Sequence, residues 1–311
     1  MALKIGVVGA GAIGGYFAIQ LVRAGYEVVV LARGANLAAM REKGLTITSE
    51  EGEVTVKFAA VSDKPEELGV CDAVLFVVKG QDSEQAAADM APMIGPKTEI
   101  ISLQNGFYGI DHLVATFGAE RVSPGVTYIP AVLDAPGHIR RTGNRTRSYF
   151  GPYFPRDTAL HDELAEALRG QGTDIQALRE PMRQIWAKYV VLAPFHAMCS
   201  LTRLPVGGWI VHPEMQALYL AAMKEVAALG RAKGADVPDS IAEKQVEITR
   251  TSTSPKTRAS MFEDLDRGKR LELEPIIGWI VRESEKHGLA SPVHRTAYAL
   301  LRPHRDGPPQ I

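Results

Sequence analysis

Residues 3–14 read LKIGVVGAGAIG and carry the strongest local signal in the chain. The apolar run over residues 3–8 predicts a buried strand, and apolar residues at helical spacing follow it. The glycines between them allow a tight turn, a close approach of phosphate to the backbone and close helix–strand packing. Free N–H groups at the start of such a helix favour anions. The pattern predicts a dinucleotide site rather than a tight turn alone, with the pyrophosphate held by Gly9, Gly11, Ala12, Ile13 and Gly14.

The first half of the chain alternates short β-branched runs with stretches of helical periodicity. This alternation predicts a parallel sheet with crossover helices. The predicted elements are strands at residues 3–8, 27–31, 73–78 and 99–103, and a helix at residues 12–24. Further short strands, separated by Pro-Gly and Gly-Asn turns, predict an antiparallel addition to the same sheet. They lie around residues 122–132, 138–142 and 146–150.

Helical periods dominate from about residue 180, where the strand-like runs end. Ala222, Val226 and Leu229, for example, follow one another at steps of four and three residues. We therefore expect an α/β protein whose first domain is a Rossmann-like doubly wound sheet and whose second domain is all-α and closes over the substrate. The predicted domains are residues 1–179 and residues 180–311.

The composition excludes several classes of function. Of the 311 residues, 46% are apolar and 23% charged, as in compact globular domains. Lysine plus arginine (35) nearly cancels aspartate plus glutamate (36), so no overall field favours nucleic acid or an anionic membrane. The two cysteines, Cys71 and Cys199, cannot form a disulfide framework, and no cysteine or histidine has metal-ligand spacing. We expect a small-molecule substrate and no bound metal.

The start of the chain passes directly from one lysine into an apolar strand, without a separate hydrophobic segment and cleavage site. No apolar run approaches the roughly 20 residues that span a bilayer. We therefore expect a cytoplasmic protein without a membrane helix. The sequence leaves the oligomeric state open, with a homodimer as one alternative.

The end of the second predicted strand reads Leu31-Ala32-Arg33. An acidic residue at this place would bind the ribose 2′-hydroxyl of NAD, whereas an arginine can pair with the 2′-phosphate of NADP through its planar guanidinium. Arg33 therefore predicts NADP (NADPH) as the cofactor. The alternative is that Arg33 is a solvated surface residue.

Five further segments accompany the glycine motif and Arg33. They are residues 78–81 (VKGQ), 104–106 (QNG), 186–188 (WAK), 260–264 (SMFED) and 271–274 (LELE). With these segments in this order and spacing, the chain resembles the ketopantoate reductase (2-dehydropantoate 2-reductase) family over essentially its whole length. The resemblance implies an oxidoreductase of pantothenate biosynthesis. Its implied reaction is the NADPH-dependent reduction of a 2-oxo acid, ketopantoate, to the 2-hydroxy acid pantoate.

The resemblance assigns roles to three polar residues. Lys188 matches the family's proton donor, Glu272 the glutamate that receives the substrate hydroxyls, and Ser260 the serine that binds the substrate carboxylate. We expect Lys188 and Glu272 to be the catalytic residues. Hydride transfer to a ketone leaves an alkoxide that needs a proton donor within reach, and Lys188 would be that donor. Lost hydration and a nearby oxidised nicotinamide would both lower the pKa of Lys188. Without the resemblance, this lysine would be read as a solvated helical residue.

Asn105 and Lys79 each follow a predicted strand of the parallel sheet. Cofactors and substrates meet at this carboxyl edge in open α/β sheets. We expect the amide of Asn105 to contact the nicotinamide ribose or the substrate oxygen. The alternative is an asparagine chosen for a left-handed turn before Gly106. Lys79 is expected to contact the charge of the cofactor or of the substrate.

The chain departs from the family pattern at positions expected to line the substrate. Leu192, His196 and Thr257 stand where the family commonly has asparagines. Buried hydroxyls without partners cost about 1–3 kcal/mol each, so a less polar 2-oxo acid is an alternative substrate. His196 would bind a second substrate anion or relay protons, and a hydrogen-bonded histidine of the helical core is the other interpretation.

Two other functions stay open. A β-hydroxyacid or opine-type dehydrogenase shares a dinucleotide domain followed by helices and could use one lysine in the same way, but it leaves Ser260 and Glu272 unexplained. A non-catalytic NADPH-binding sensor would fit the altered substrate positions. The presence of both Lys188 and Glu272 argues against the sensor.

Overall fold

The computed structural model describes residues 3–157 and 159–309. Packing divides the chain into two units. The first, here called the sheet unit, comprises the residues up to 104 and Gly109–Met182; the second, the helical unit, comprises Asn105–Tyr108 and the residues from 183 onward. No helix in the described ranges combines the length and the apolar character needed to cross a membrane.

The sheet unit contains short strands and helices in alternation. Its strands are β1 (Lys4–Val8), β2 (Glu27–Leu31), β3 (Leu45–Ser49), β4 (Gly52–Val56), β5 (Ala60–Ser62), β6 (Cys71–Phe76), β7 (Ile94–Ser102), β8 (Val122–Thr127), β9 (Ala131–Ala135), β10 (His138–Arg141), β11 (Ser148–Phe150) and β12 (Ile175–Ala177). Its helices are α1 (Ala12–Arg23), α2 (Gly34–Lys43), α3 (Pro65–Leu68), α4 (Ser83–Asp89), α5 (Tyr108–Phe117) and α6 (Ala159–Gly170). Helix α5 begins at Tyr108, the last residue of the short segment that belongs to the helical unit.

The main sheet comprises eight of the strands described, in the order β12-β11-β8-β7-β6-β1-β2-β5. All neighbours from β8 to β5 pair in parallel. The order runs outward from β1 and β6 in both directions, so the carboxyl ends of these two strands form the switch point at which doubly wound sheets bind ligands. Both strands are almost wholly apolar and buried, as expected where helices cover both faces of a sheet. The predicted Rossmann-like doubly wound sheet is confirmed.

The antiparallel addition predicted between residues 122 and 150 is only partly correct. Strand β8 pairs in parallel with β7, and β11 is the strand that adds antiparallel beside β8. The hairpin of β9 and β10 instead joins β3 and β4 in a second sheet, ordered β4-β3-β10-β9. Ile139 pairs with Ile47 in this sheet, and both are buried. The pairing is therefore fixed by apolar contacts between distant parts of the chain, which local turn signals do not report.

Helix α1 packs against this second sheet as well as against the main one. A Cβ at Gly15 would collide with the side chain of Ile139 and lie 2.8 Å from that of Leu45. Glycine at this position therefore lets the helix approach the second sheet closely. The element that carries the glycine motif is thus held from two directions.

The helical unit is built from helices, as predicted from its periodicity. They are α7 (Met182–Thr202), α8 (Val206–Trp209), α9 (Pro213–Ala232), α10 (Ile241–Ser252), α11 (Ser260–Asp266), α12 (Trp279–Lys286) and α13 (Pro292–Leu301), with a π-helical turn at Glu274–Gly278.

An aromatic cluster explains why the short segment Asn105–Tyr108 belongs to the helical unit. The ring of Phe107 stacks on that of Trp279, with centroids 5.2 Å apart, and lies 4.2 Å from that of Trp186. All three residues are buried. Aromatic packing of this kind adds to the free energy gained by burial, so the segment is anchored by its own side chain.

Candidate active site

The glycine loop between β1 and α1 has the geometry that a pyrophosphate needs. Gly9 has a φ of +97°, and a Cβ there would lie 2.6 Å from the backbone nitrogen of Val78. A Cβ at Gly14 would collide with the carbonyl of Gly9. At Gly11, by contrast, a Cβ would meet nothing within 4 Å. Gly9 and Gly14 are therefore required by the fold, whereas the missing side chain at Gly11 leaves room for a ligand against the backbone.

The N-terminus of helix α1 lies next to Gly11 and can bind an anion. Gly11 is its N-cap, and no side chain caps its first turn. Ala12 and Ile13 are the first residues of the helix, so their backbone lies at its positive end. The residues present therefore fit the pyrophosphate of a dinucleotide.

Asn36 braces this loop and was not identified from the sequence. Its Nδ2 donates to the carbonyl of Ala10 over 2.7 Å, and its Oδ1 accepts from the backbone N–H of Gly137 over 2.8 Å. The asparagine thus ties the glycine loop to the turn of the β9–β10 hairpin. No local pattern could have revealed this role, because Gly137 lies 101 residues further along the chain.

Arg33 lies at the carboxyl end of β2, as the N-cap of α2. Its guanidinium is exposed and forms an ion pair with Asp89, the last residue of α4. The two residues lie at an open depression of about 540 Å³, lined by Arg33, Asp63, Pro65, Gln85 and Asp89. The pairing with Asp89 was not anticipated from the sequence.

Lys79 follows β6 at the same carboxyl edge of the main sheet and is exposed. The backbone beside it is fixed by Gln104, whose Nε2 donates to the carbonyl of Val78 over 2.7 Å and to Oγ of Ser83 over 2.8 Å. Gln104 therefore joins the ends of β6 and β7. This contact holds the backbone on either side of Lys79 in place.

In the helical unit, Lys188 and Asn105 lie in direct contact. Lys188 Nζ donates a hydrogen bond of 2.9 Å to Asn105 Oδ1. The lost hydration of the half-buried ammonium lowers the pKa of Lys188 to about 8, while the negative charge of Glu272 acts in the opposite direction. Glu272 is itself buried. The structure thus brings three of the predicted site residues together, Asn105, Lys188 and Glu272.

The alternative interpretation of Asn105, a left-handed turn residue, is wrong. Among the non-glycine residues that the structure describes, Arg203 is the one with a positive φ. The left-handed position next to Asn105 is taken by Gly106, whose φ is +76°. The conformation of Asn105 therefore does not account for the choice of an amide side chain.

Tyr189 connects the parts of this cluster and was also missed. Its hydroxyl donates a hydrogen bond of 2.7 Å to the carbonyl of Ile276, a residue that follows Glu272 closely in the chain. A Cβ at Gly106 would lie 2.7 Å from its ring. The residue next to Lys188 is thus packed against the Asn105–Gly106 segment and hydrogen-bonded to the π-helical turn. Its position beside Lys188 was the one available signal in the sequence.

Leu192 and His196 extend the face of α7 on which Lys188 lies, at steps of four residues. His196 is buried, and its Nδ1 has no hydrogen-bond partner in the part of the chain that the structure describes. Loss of hydration, with the positive charge of Lys188 adding to it, lowers the pKa of His196 to about 3. His196 is therefore a neutral imidazole with an unused ring nitrogen.

Ser260 and Thr257 lie at and just before the start of α11. Ser260 is exposed at the first position of α11. Thr257 accepts a backbone hydrogen bond from Val206. The expected role of Ser260 in binding the substrate carboxylate stays a prediction.

The described residues offer little for metal binding or for cysteine chemistry. The residues that the structure describes contain no group of three or more His, Cys, Asp or Glu side chains that could hold a metal ion. Cys71 and Cys199 are free and buried, and burial raises the pKa of each thiol. The cluster around Lys188 can hold and release a proton, which is the function required when a carbonyl is reduced.

The comparisons with known proteins agree with this geometry. Residues 5–154 match the family described as Ketopantoate reductase PanE/ApbA, and residues 180–305 match Ketopantoate reductase PanE/ApbA C terminal. The 2-dehydropantoate 2-reductase of Archaeoglobus fulgidus is 31% identical over 302 residues, covering 96% of this chain and 97% of that protein.

Solved structures are similar over nearly the whole chain. A PanE/ApbA family ketopantoate reductase from Ralstonia eutropha JMP134 has a TM-score of 0.88 and 30% identity, covering 97% of this chain and 98% of that one. D-mandelate dehydrogenase, solved with NADH and anilino(oxo)acetate, shares the fold with a TM-score of 0.86 and 22% identity, covering 97% and 98%. From the two family matches and the 31% identical relative, the chain belongs to the ketopantoate reductase family of oxidoreductases.

Proposed function

We propose that this protein reduces a 2-oxo acid to the 2-hydroxy acid with NADPH, and that ketopantoate is the substrate. The observation that carries the proposal is the contact of Lys188 Nζ with Asn105 Oδ1 beside a buried Glu272. An ammonium whose pKa is about 8 is protonated at neutral pH yet releases its proton readily. It meets the requirement of a general acid at the carbonyl oxygen.

Each residue of the cluster has a separate task in this proposal. A dinucleotide bound at the glycine loop would supply hydride to the carbonyl carbon. Lys188 polarises the carbonyl oxygen and then gives it a proton from Nζ. Asn105 accepts one N–H of the ammonium and so fixes the direction of the others. Glu272 raises the pKa of Lys188 and keeps the ammonium protonated until the oxygen becomes negative.

One feature supports a dinucleotide, and a second supports its 2′-phosphate. The glycine loop fits a pyrophosphate, and Arg33 stands at the end of β2 where an NAD-specific fold would carry a carboxylate. The preference for NADPH is an inference from Arg33. D-mandelate dehydrogenase, which shares the fold, was solved with NADH.

A less polar 2-oxo acid is the second candidate substrate. Leu192 offers no hydrogen bond to a hydroxyl, and neutral His196 offers one unused nitrogen. The structural neighbour D-mandelate dehydrogenase was solved with anilino(oxo)acetate, an oxamate that resembles a 2-oxo acid and carries an aromatic ring. The relatives that are 2-dehydropantoate 2-reductases support ketopantoate as the substrate. Leu192 and His196 favour a less polar 2-oxo acid.

Steady-state oxidation of NADPH tests the proposal, with ketopantoate compared against phenylglyoxylate. We expect Lys188→Ala to lower kcat by at least about 100-fold and to leave dinucleotide affinity unchanged. Lys224→Ala is the matched control, because Lys224 is an exposed lysine of α9 paired with Glu243 at 2.7 Å. A wild-type protein that oxidises NADPH with neither acid, or a Lys188→Ala variant of full activity, would refute the proposal.

A further inference from the structure

The ion pair of Arg33 and Asp89 bears on the choice between NADP and NAD. We propose that Asp89 is a specificity-determining residue, because its carboxylate competes with the 2′-phosphate of NADP for the guanidinium of Arg33. The inference rests on the dinucleotide binding in the proposed function. Arg33 alone would predict a strong preference for NADP. The ion pair with Asp89 makes the expected preference weaker.

Asp89 is held in position on both of its carboxylate oxygens. Oδ2 accepts from the guanidinium of Arg33, and Oδ1 accepts from Nε2 of Gln85 over 2.7 Å. Gln85 and Asp89 lie four residues apart on α4, so the helix itself aligns them. The carboxylate is therefore presented to Arg33 by an element of secondary structure rather than by a free loop.

The charges around the depression disfavour a dianion. Its lining contains one cation, Arg33, and two carboxylates, Asp63 and Asp89. Arg41 approaches Asp63 to 3.9 Å and partly offsets its charge. The cation that would bind a 2′-phosphate is therefore already paired with Asp89, and a phosphate that reaches it must displace that carboxylate or lie next to it.

The same arrangement suits a ribose that carries no phosphate. A 2′-hydroxyl can donate to a carboxylate oxygen, which is the interaction that an acidic residue at the end of β2 provides in NAD-binding folds. Here Asp89 supplies a carboxylate beside Arg33 from α4. We expect the wild-type protein to bind both dinucleotides, with a small preference for NADP.

If the pair of Arg33 and Asp89 served only to stabilise the fold, its loss would lower the melting temperature and leave cofactor affinity unchanged. Both side chains are at least partly exposed, and exposed ion pairs contribute little to the stability of a fold. Removal of the charge at Asp89 should therefore leave the melting temperature unchanged. Its effect should appear in cofactor affinity.

The test is the equilibrium dissociation constant of NADP and of NAD for the wild type and for Asp89→Asn, measured by calorimetry. We expect the substitution to tighten NADP binding about tenfold, a difference of about 1.4 kcal/mol, and to leave NAD binding unchanged or weaker. The paired probes adenosine 2′,5′-bisphosphate and adenosine 5′-monophosphate should show the same ratio, since they differ only in the 2′-phosphate.

Two further variants separate local competition from a general charge effect. Glu84→Gln removes an exposed carboxylate from the same helix at a residue that does not line the depression, and it should leave the NADP to NAD ratio as in the wild type. In Arg33→Gln, the added Asp89→Asn change should no longer favour NADP by the full factor, because the guanidinium for which phosphate and carboxylate compete is gone.

The outcomes distinguish this inference from the proposed function. If the wild type binds neither dinucleotide, both are refuted. If it binds both and Asp89→Asn leaves their ratio unchanged, this inference alone is overturned. An equal gain in Glu84→Gln would overturn it as well, because the effect would then be one of overall charge.

Discussion

The hydroxyl of Tyr189 donates a hydrogen bond of 2.7 Å to the carbonyl of Ile276, so the residue beside Lys188 is tied to the turn that follows Glu272. The tyrosine is buried, and its ring packs against Gly106. One side chain thus contacts both the segment that carries Asn105 and the turn that follows Glu272. We expect the relative positions of Lys188 and Glu272 to depend on this contact.

Loss of this hydroxyl should reduce turnover. We expect Tyr189→Phe to lower kcat about five- to tenfold, the effect of losing roughly 1 kcal/mol of hydrogen bonding that positions the donor. Dinucleotide affinity should not change. Tyr219→Phe is a matched control, because Tyr219 is another buried tyrosine of the helical unit, whose hydroxyl contacts Oγ1 of Thr249 at 3.5 Å. Equal losses of kcat in the two variants would contradict a positioning role.

The rate of reduction should depend on the protonation of Lys188. Loss of hydration lowers its pKa to about 8, and the group donates its proton only when charged. Below pH 7 kcat should be nearly constant, and above pH 8 it should fall by about tenfold per pH unit. A pH–rate profile under saturating substrate measures this.

Glu272→Gln provides an internal check on that profile. The negative charge of Glu272 raises the pKa of Lys188, so its removal should move the fall in kcat to lower pH. A fall that stays at the wild-type pH would show that another group titrates. Glu247→Gln, at an exposed pair with Arg250 in the same unit, should leave the profile unchanged.

The glycines of the loop between β1 and α1 should fail in different ways when replaced by alanine. At Gly11 a Cβ meets nothing within 4 Å, so Gly11→Ala should fold normally and weaken dinucleotide binding about tenfold or more. At Gly14 a Cβ collides with the carbonyl of Gly9, so Gly14→Ala should lower the free energy of unfolding by about 1–3 kcal/mol. Gly170→Ala, with open space around it, is the control. Calorimetry and thermal melting give both quantities. If Gly11→Ala binds the dinucleotide with wild-type affinity, the pyrophosphate does not bind at this loop.

A buried ionic cluster in the sheet unit should make stability depend on pH. Burial raises the pKa of Glu99, but hydrogen bonds from His161, Arg156 and Ser123 outweigh that effect and leave the pKa below its ordinary value of 4.5. The unfolded state therefore binds the proton more readily, and the stability that Glu99 provides is lost as pH falls below about 4.5.

Glu99→Gln measures this contribution. At pH 7 the substitution should lower the free energy of unfolding by about 3 kcal/mol, because it leaves Arg156 without its buried partner. The difference from the wild type should shrink as the pH is lowered below 4.5. Glu84→Gln, at an exposed position, should show no such difference. A constant difference from pH 7 to pH 3 would contradict the linkage.

Local sequence patterns predicted the parts of this fold that depend on neighbouring residues. The strand, turn and helix at residues 3–23 were predictable because the glycines and the apolar periodicity lie within one short segment. The second sheet was not, because the pairing of Ile139 with Ile47 depends on contacts between distant strands. The same limit explains why the brace provided by Asn36 was missed.

The candidate site shows the same division. Lys188 and Glu272 were identified by resemblance to a family and Asn105 by its place at the carboxyl edge of the predicted sheet, and their roles remain predictions. The hydrogen bond between Lys188 and Asn105 joins residues 83 positions apart, and that between Arg33 and Asp89 joins residues 56 positions apart. Distances of this kind depend on tertiary packing, so the competition for Arg33 became visible only in the structure.

The short segment Asn105–Tyr108 has a consequence for any attempt to take this protein apart. Because Phe107 fills the space beside Trp186 and Trp279, a fragment starting at residue 183 would expose a tryptophan pair to water. The polypeptide leaves the sheet unit after Gln104, returns at Gly109 and leaves again after Met182. No single proteolytic cleavage can therefore liberate an intact helical half, and autonomous folding of that half would require the four-residue insert to be supplied in trans or grafted onto it.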